Sequence, residues 1–159
     1  MTERLKTNFT LDTAIELAKH HHSRQRDRSG KPYFSHLETV MNQLQGEESK
    51  MAGVLHDIVE DTEMTFEELL KMGCPESVVS ALKLVSHPPL FNETQYLEMV
   101  QEIADSKNQI AIDVKWADLT HNTDITRIKN PKESDFKRLE KYLKAKEILR
   151  SVVSEYLLA

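Results

Sequence analysis

Nine consecutive residues, Gly53-Val54-Leu55-His56-Asp57-Ile58-Val59-Glu60-Asp61, set one imidazole and three carboxylates among apolar neighbours. His56 and Asp57 are adjacent, so on a helix their side chains diverge by about 100°. A cation placed over the angle between them is within reach of both. One turn later come Glu60, at i+4 from His56, and Asp61, at i+4 from Asp57, giving two rows on neighbouring stripes. A metal held by the first pair would have two carboxylates beside it. One would orient or deprotonate an attacking water, and the other would position it or assist the leaving group. The chemistry this predicts is metal-assisted hydrolysis.

A divalent ion needs further ligands, and His36 and Asp118 are the candidates. Two imidazoles and two carboxylates form a mixed nitrogen and oxygen set, which suits manganese or iron, with zinc and magnesium as alternatives. Arg24, Arg26, Arg28 and Lys31 form the densest basic run. A solvated loop is the default for such a run, but its place just before His36 favours a phosphate-attracting rim. Lys115 and Arg127 would reach phosphate from a later helix. In His20-His21-His22, three consecutive residues fan around a helix and cannot share one ion. Only His22 continues the stripe of Leu11, Ile15 and Ala18, so it is expected inward, with His20 and His21 towards solvent. His121 is expected to be a structural hydrogen-bonding residue, Trp116 and Cys74 to be core, and His87 has no assignment.

The elements that must position these groups read as helices throughout. Thr10 or Asp12 caps a first helix running to about Ser23, and Arg24 to Pro32 is a basic loop. Ser35 caps a second helix that Gly46 stops. A third runs from about Glu48 to Val59 with Met51, Val54, Leu55 and Ile58 inward. Thr65 to Glu68 matches a capping box opening a short helix, and Pro75 opens a fifth that His87-Pro88-Pro89 breaks. Helices over about Asn92 to Asp105 and Asn108 to Asp124 follow. The last, Ser134 to Leu158, carries Phe136, Leu139, Leu143, Ile148, Val152 and Tyr156 as its apolar positions. No strand alternation, repeat or low-complexity linker interrupts this. The expectation is all-α, one domain over residues 1–159 with about seven to eight helices.

Composition agrees with one soluble globular unit: 159 residues, 39% hydrophobic, 30% charged, with four Gly and five Pro. A net charge of −5 argues against a general nucleic-acid binder. It does not exclude a small anionic substrate, because a local cluster or a bound metal reverses the local field. Cys74 is the only cysteine, which rules out an intramolecular disulfide and fits a reducing compartment. Met1 to Asn8 is polar with no apolar signal core, and no apolar run approaches the roughly 20 residues of a membrane span. No membrane association and a cytoplasmic location are therefore expected. The oligomeric state stays open, a homo-oligomer included.

The order His36, His56-Asp57, Asp118 resembles the pattern that names the HD superfamily of metal-dependent phosphohydrolases. Three longer blocks narrow the resemblance: Ser29-Gly30-Lys31-Pro32-Tyr33-Phe34-Ser35-His36, Val54 to Thr62, and Val114-Lys115-Trp116-Ala117-Asp118-Leu119-Thr120-His121-Asn122. They are similar to the hydrolase domain of the Rel/Spo alarmone enzymes over about Leu11 to Arg127. That family includes small stand-alone members that use manganese to remove the 3′-pyrophosphate of guanosine tetraphosphate. The resemblance implies an HD-type helical domain, a nucleotide substrate, and a metal held by His36, His56, Asp57 and Asp118. It also implies Glu60 and Asp61 as the catalytic acidic pair, Asn122 near the sugar and phosphates, and Arg28 and Ser29 at the base. No stretch of this sequence resembles the family's separate synthetase domain, so hydrolysis only is expected. The chain departs at Asp27, where the family usually has a basic residue stacking on guanine, and carboxylate cannot cover a base as arginine does. Leu119 and Asp124 likewise replace basic residues, and Leu84 to His87 differs from the corresponding block. Two other readings stay open: an HD-type phosphohydrolase of another nucleotide or phosphorylated metabolite, and a non-catalytic nucleotide-sensing module.

Overall fold

Thr10, and not Asp12, caps the first helix: its hydroxyl accepts the backbone N–H of Thr13 at 3.2 Å. A computed structural model describes residues 8–89 and 92–159, so most of the polar N-terminal stretch noted above lies outside the described residues. Helix α1 (Leu11–His21) is followed by α2 (Tyr33–Gln43), α3 (Glu47–Leu55), α4 (Ile58–Asp61), α5 (Phe66–Lys71) and α6 (Glu76–Val85). Then come α7 (Glu93–Asp105), α8 (Gln109–Asn122), a 3₁₀ turn (Ile125–Arg127), α9 (Glu133–Leu149) and a second 3₁₀ turn (Glu155–Leu158). The described residues form an all-α fold whose one extended pairing is an isolated bridge between Arg26 and Pro32. No helix among them is long and apolar enough to cross a membrane.

The two central helices carry the site. Helix α3 packs against α1, α2, α6 and α8, and its residues Met51 to Leu55 are all buried. Gly53 makes the α2–α3 approach feasible, because a Cβ there would lie 2.6 Å from Leu44 Cδ1 and 3.4 Å from Met41 Cα. Helix α8 is buried on every side from Ala111 to Leu119, as expected of a helix enclosed by others. Its buried polar groups, Asp113, Lys115 and Asp118, must therefore find partners inside the protein. Asp113 does so by accepting the backbone N–H of Ser154 at 2.9 Å, which ties the C-terminal turn to α8.

Three boundaries differ from the sequence reading. The helix expected to run unbroken from Glu48 to Val59 stops at Leu55 and resumes at Ile58, with Asp57 at φ −108°, ψ 2° between them. The second helix begins at Tyr33, ahead of Ser35, and Gly46 (φ 91°) stands at the N-cap of α3. The last helix ends at Leu149, and its expected apolar positions are split, with Leu139, Ile148 and Tyr156 partly buried and Phe136, Leu143 and Val152 exposed. Phe136 and Leu143 are 48% and 51% exposed, while Asp135, Ala145 and Leu149 are the buried positions. Lysines and acids crowd this helix, so hydrophobic spacing alone could not fix which stripe faces inward.

Candidate metal centre and flanking cavities

The break at His56 and Asp57 shapes the site. On a continuous helix these neighbours would diverge; here His56 Nε2 and Asp57 Oδ2 are 3.1 Å apart. From α8, Asp118 Oδ1 lies 3.4 Å from the same nitrogen and 2.9 Å from His36 Nε2, supplied by α2. One donor atom each from His36, His56 and Asp118 falls within a 4.8 Å cluster. Asp57 stands beside this trio, its carboxylate accepting a short hydrogen bond from the Tyr33 hydroxyl.

The donor set fits a cation on electrostatic grounds. His56 Nδ1 donates to the Gly53 carbonyl at 2.7 Å, so the neutral ring carries its lone pair on Nε2. That nitrogen is buried, makes no hydrogen bond, and faces two carboxylate oxygens. Lone pair against carboxylate is repulsive unless a proton or a metal lies between. Burial alone would depress the His56 imidazole; Asp57 and Asp118 outweigh it and raise its pKa well above the usual value. Burial would raise both acids, yet His56 pulls Asp57 below the ordinary carboxylate range, and Lys115 and His56 do the same to Asp118. A divalent cation with nitrogen and oxygen ligands satisfies the same field.

A second layer holds the ligands in place. His36 Nδ1 faces His121 Nδ1 at 2.7 Å, which gives His121 the hydrogen-bonding position expected of it. Burial, Arg127 and His36 together push the His121 imidazole down to about 4. Asn122 Nδ2 donates to Asp118 Oδ1 at 3.1 Å. The Lys115 ammonium lies 3.4 Å from Asp118 Oδ2 and 5.0 Å over the Tyr96 ring. Burial opposes the charge of Lys115, but Tyr96 and Asp118 hold its pKa above the usual lysine value.

Two cavities meet here, sharing Tyr33, Asn122 and Tyr142. The larger, about 470 Å³, is walled by Asp57, Glu60, Asp61, Lys115, Asp118 and Lys141. Burial, aided by Asp57, raises the pKa of both Glu60 and Asp61. His87, unassigned by sequence, tempers that rise at Glu60: its backbone N–H donates to Oε1 at 3.3 Å, and its Nδ1 lies 3.4 Å away. The smaller cavity, about 240 Å³, is lined by Arg26, Asp27, Arg28, Arg127 and Arg138 among others.

The basic loop is organised by Asp27, one of the residues that depart from the pattern this sequence resembles. Its Oδ1 accepts from Ser29 N (2.9 Å), Ser29 Oγ (2.6 Å) and Lys31 N (3.0 Å), and Oδ2 takes Arg127 at 3.1 Å. Burial acts against the charge, but these hydrogen bonds prevail and lower the carboxyl pKa. The candidate substrate residues therefore separate. Arg28, Asn122 and Arg127 line the smaller cavity, and Lys115 and Asn122 the larger. Arg127 also donates to the His121 carbonyl at 2.9 Å. Arg24 is exposed and Ser29 serves Asp27; neither lines either of these two cavities. Of the histidine run, His22 is buried and His20 exposed. Sequence reasoning missed Arg138, Lys141 and Tyr142, because α9 reads as an ordinary charged surface helix. It also missed the phenol of Tyr33, although that residue sits in a quoted block.

No family model matches the chain. It is 34% identical over 111 residues to a probable guanosine-3′,5′-bis(diphosphate) 3′-pyrophosphohydrolase of Synechocystis sp., covering 64% of this chain and 14% of that protein. With the guanosine-3′,5′-bis(diphosphate) 3′-pyrophosphohydrolase of Spiroplasma citri it shares 35% identity over 127 residues, covering 70% of this chain and 16% of that one. The chain thus spans about one seventh of the length of these curated relatives. Among solved structures, a metazoan ortholog of SpoT described as hydrolyzing ppGpp superposes with a TM-score of 0.77 at 22% identity, covering 93% of this chain and 89% of that one. At that identity the likeness shows the fold.

Proposed function

Because this chain is a homologue of the Rel/Spo pyrophosphohydrolases with the HD-type helical fold of a SpoT hydrolase, we propose that it is a metal-dependent phosphohydrolase acting on guanosine 3′,5′-bis(diphosphate) or a related nucleotide. One observation carries the reading: the buried His36, His56 and Asp118 donors converge, and Asp118 with Asp57 walls a cavity that Glu60 and Asp61 also line. His36, His56, Asp57 and Asp118 would hold a divalent cation, manganese by preference for a mixed nitrogen and oxygen set. When bound, it supplies positive charge to a phosphoryl oxygen and makes water more acidic.

The chain's own residues do the rest. Glu60 and Asp61, with pKa values raised by burial, are stronger bases than exposed carboxylates. They would hold the attacking water and take its proton. Water oxygen bonds to the phosphorus next to the ribose oxygen, the bond from that phosphorus to the ribose oxygen breaks, and the alkoxide takes up a proton. The products are pyrophosphate and a nucleoside 5′-diphosphate. Tyr33 and Asn122 fix the Asp57 and Asp118 carboxylates, and Arg28 and Arg127 face the smaller cavity, where the nucleoside would lie. A cytoplasmic location accords with this chemistry.

Asp27 favours a second reading, in which the base differs. Its carboxylate lies at the smaller cavity, held by Arg127 and the loop, so the residue at this position cannot stack on guanine as a cation would. The experiment compares guanosine 3′,5′-bis(diphosphate) with other nucleotides on the manganese-loaded protein, measuring phosphate and pyrophosphate separately. Pyrophosphate from the guanosine substrate, lost in Asp57→Ala and Glu60→Ala, supports the first reading. Turnover of another nucleotide only would establish the second. Tight nucleotide binding with no turnover under any metal would overturn both.

A further inference from the structure

The larger cavity carries one cation whose charge its surroundings leave unmet. Lys141, on α9, holds its ammonium 4.7 Å over the Tyr96 ring and 5.1 Å over the Tyr142 ring. Among the described residues, it forms no ion pair. Glu93, the acid that favours its charge, is bound by Lys144 at 3.1 Å. The neighbouring cations are already engaged, Lys115 with Asp118 at 3.4 Å and Arg138 with Asp135 at 2.8 Å. Burial, Arg138 and Lys115 together lower the pKa of Lys141, the mark of a cation held among like charges.

The position of this cation is specific. The same cavity is walled by Asp57 and Asp118 of the metal cluster and by Glu60. Two aromatic faces hold the ammonium in place without a carboxylate partner. A phosphate at the metal cluster leaves room in about 470 Å³ for a second phosphate linked to it. We propose that Lys141 receives the outer phosphate of the pyrophosphoryl group transferred to water, and so selects diphosphate esters over monophosphate esters. The proposal rests on the phosphohydrolase reading and adds the group that measures the length of the phosphate chain.

The test reads binding directly, apart from turnover. Inorganic pyrophosphate and orthophosphate are titrated calorimetrically into manganese-loaded wild type, Lys141→Met and Lys141→Arg. Methionine keeps an unbranched stem between the rings, and the unfolding temperature of each variant is read alongside. Loss of a charge-assisted contact predicts pyrophosphate binding about 10- to 100-fold weaker in Lys141→Met, with orthophosphate changed less than about twofold. Lys141→Arg keeps the charge and restores pyrophosphate binding to within about fivefold. Equal losses for both anions, unchanged pyrophosphate binding in Lys141→Met, or no pyrophosphate binding by wild type would overturn the assignment. If the protein turns over no nucleotide, the phosphohydrolase reading fails while the anion comparison still decides the role of Lys141. Nucleotide turnover with wild-type pyrophosphate affinity in Lys141→Met removes Lys141 alone.

Discussion

His36 Nδ1 and His121 Nδ1 face each other at 2.7 Å, and two ring nitrogens at that distance require one donor and one acceptor. Burial and Arg127 keep His121 neutral, so it can accept. With a cation at the cluster, His36 would donate from Nδ1 and turn a lone pair on Nε2 towards that cation beside Asp118. Outer partners of this kind typically change metal affinity by about 10- to 100-fold when removed. His121→Phe keeps a ring and deletes the acceptor. Manganese affinity by calorimetry should fall within that range, with the fold unchanged by circular dichroism; equal affinity would show that His121 does not set the His36 tautomer.

The candidate metal site could be picked out because its residues are few, spaced in separate blocks, and flanked by buried hydrophobics. His36, His56 and Asp118 converge as expected, with Asp57 beside them. The interruption at His56 and Asp57 was not legible. Nothing local marks it: Val54 to Val59 reads as a helix, and the break sits where α2 and α8 bring His36 and Asp118 to that turn. The opposite wall was hidden for another reason. Lys141 and Arg138 lie among solvent-facing lysines on α9, and only tertiary packing distinguishes the stripe turned to the cavity. Two helix caps were legible, Thr10 and the Thr65 to Glu68 box, since they depend on residues three apart, whereas Ser35 lies inside α2.

Asp27 converts an expected base-contacting position into a structural one. Its lowered pKa gives a sign to the pH dependence. A group whose folded pKa lies below its unfolded value adds stability above the unfolded value and loses it as pH falls through the folded one. Asp27→Asn should therefore be less stable than wild type at pH 7, by about 2 kcal/mol for hydrogen bonds to a charged acceptor. The gap should close as the pH drops below 3.8. Denaturant unfolding of both proteins across that range measures it, and a gap independent of pH would mean the carboxylate charge contributes nothing.

Gly53 carries both a close helix contact and the carbonyl that accepts His56 Nδ1. Alanine would gain about 1 kcal/mol in helix propensity but must displace the buried Leu44 side chain, with the Met41 backbone behind it. Overpacking costs about 1–3 kcal/mol, so Gly53→Ala should be destabilising on balance. A fall in melting temperature of about 2–4 °C corresponds to each kcal/mol at this chain length. An unchanged or higher melting temperature would show that Leu44 repacks freely.

Glu60 should separate catalysis from metal binding, because it lies outside the His36, His56 and Asp118 donor cluster. With Glu60→Gln, turnover should fall by about 10²- to 10⁴-fold, the usual contribution of a general base, while manganese affinity stays at the wild-type value. The pH profile supplies an independent check. The base must be ionised, and burial with Asp57 raises its pKa, so the acid limb of kcat/KM lies above pH 4.5 and activity is lost as pH falls through it. The His87 imidazole opposes that rise. His87→Ala keeps the backbone N–H and removes the ring, so the acid limb should move to still higher pH. A limb unmoved by His87→Ala and still present in Glu60→Gln would assign the base to another group, with Asp61 the next to replace.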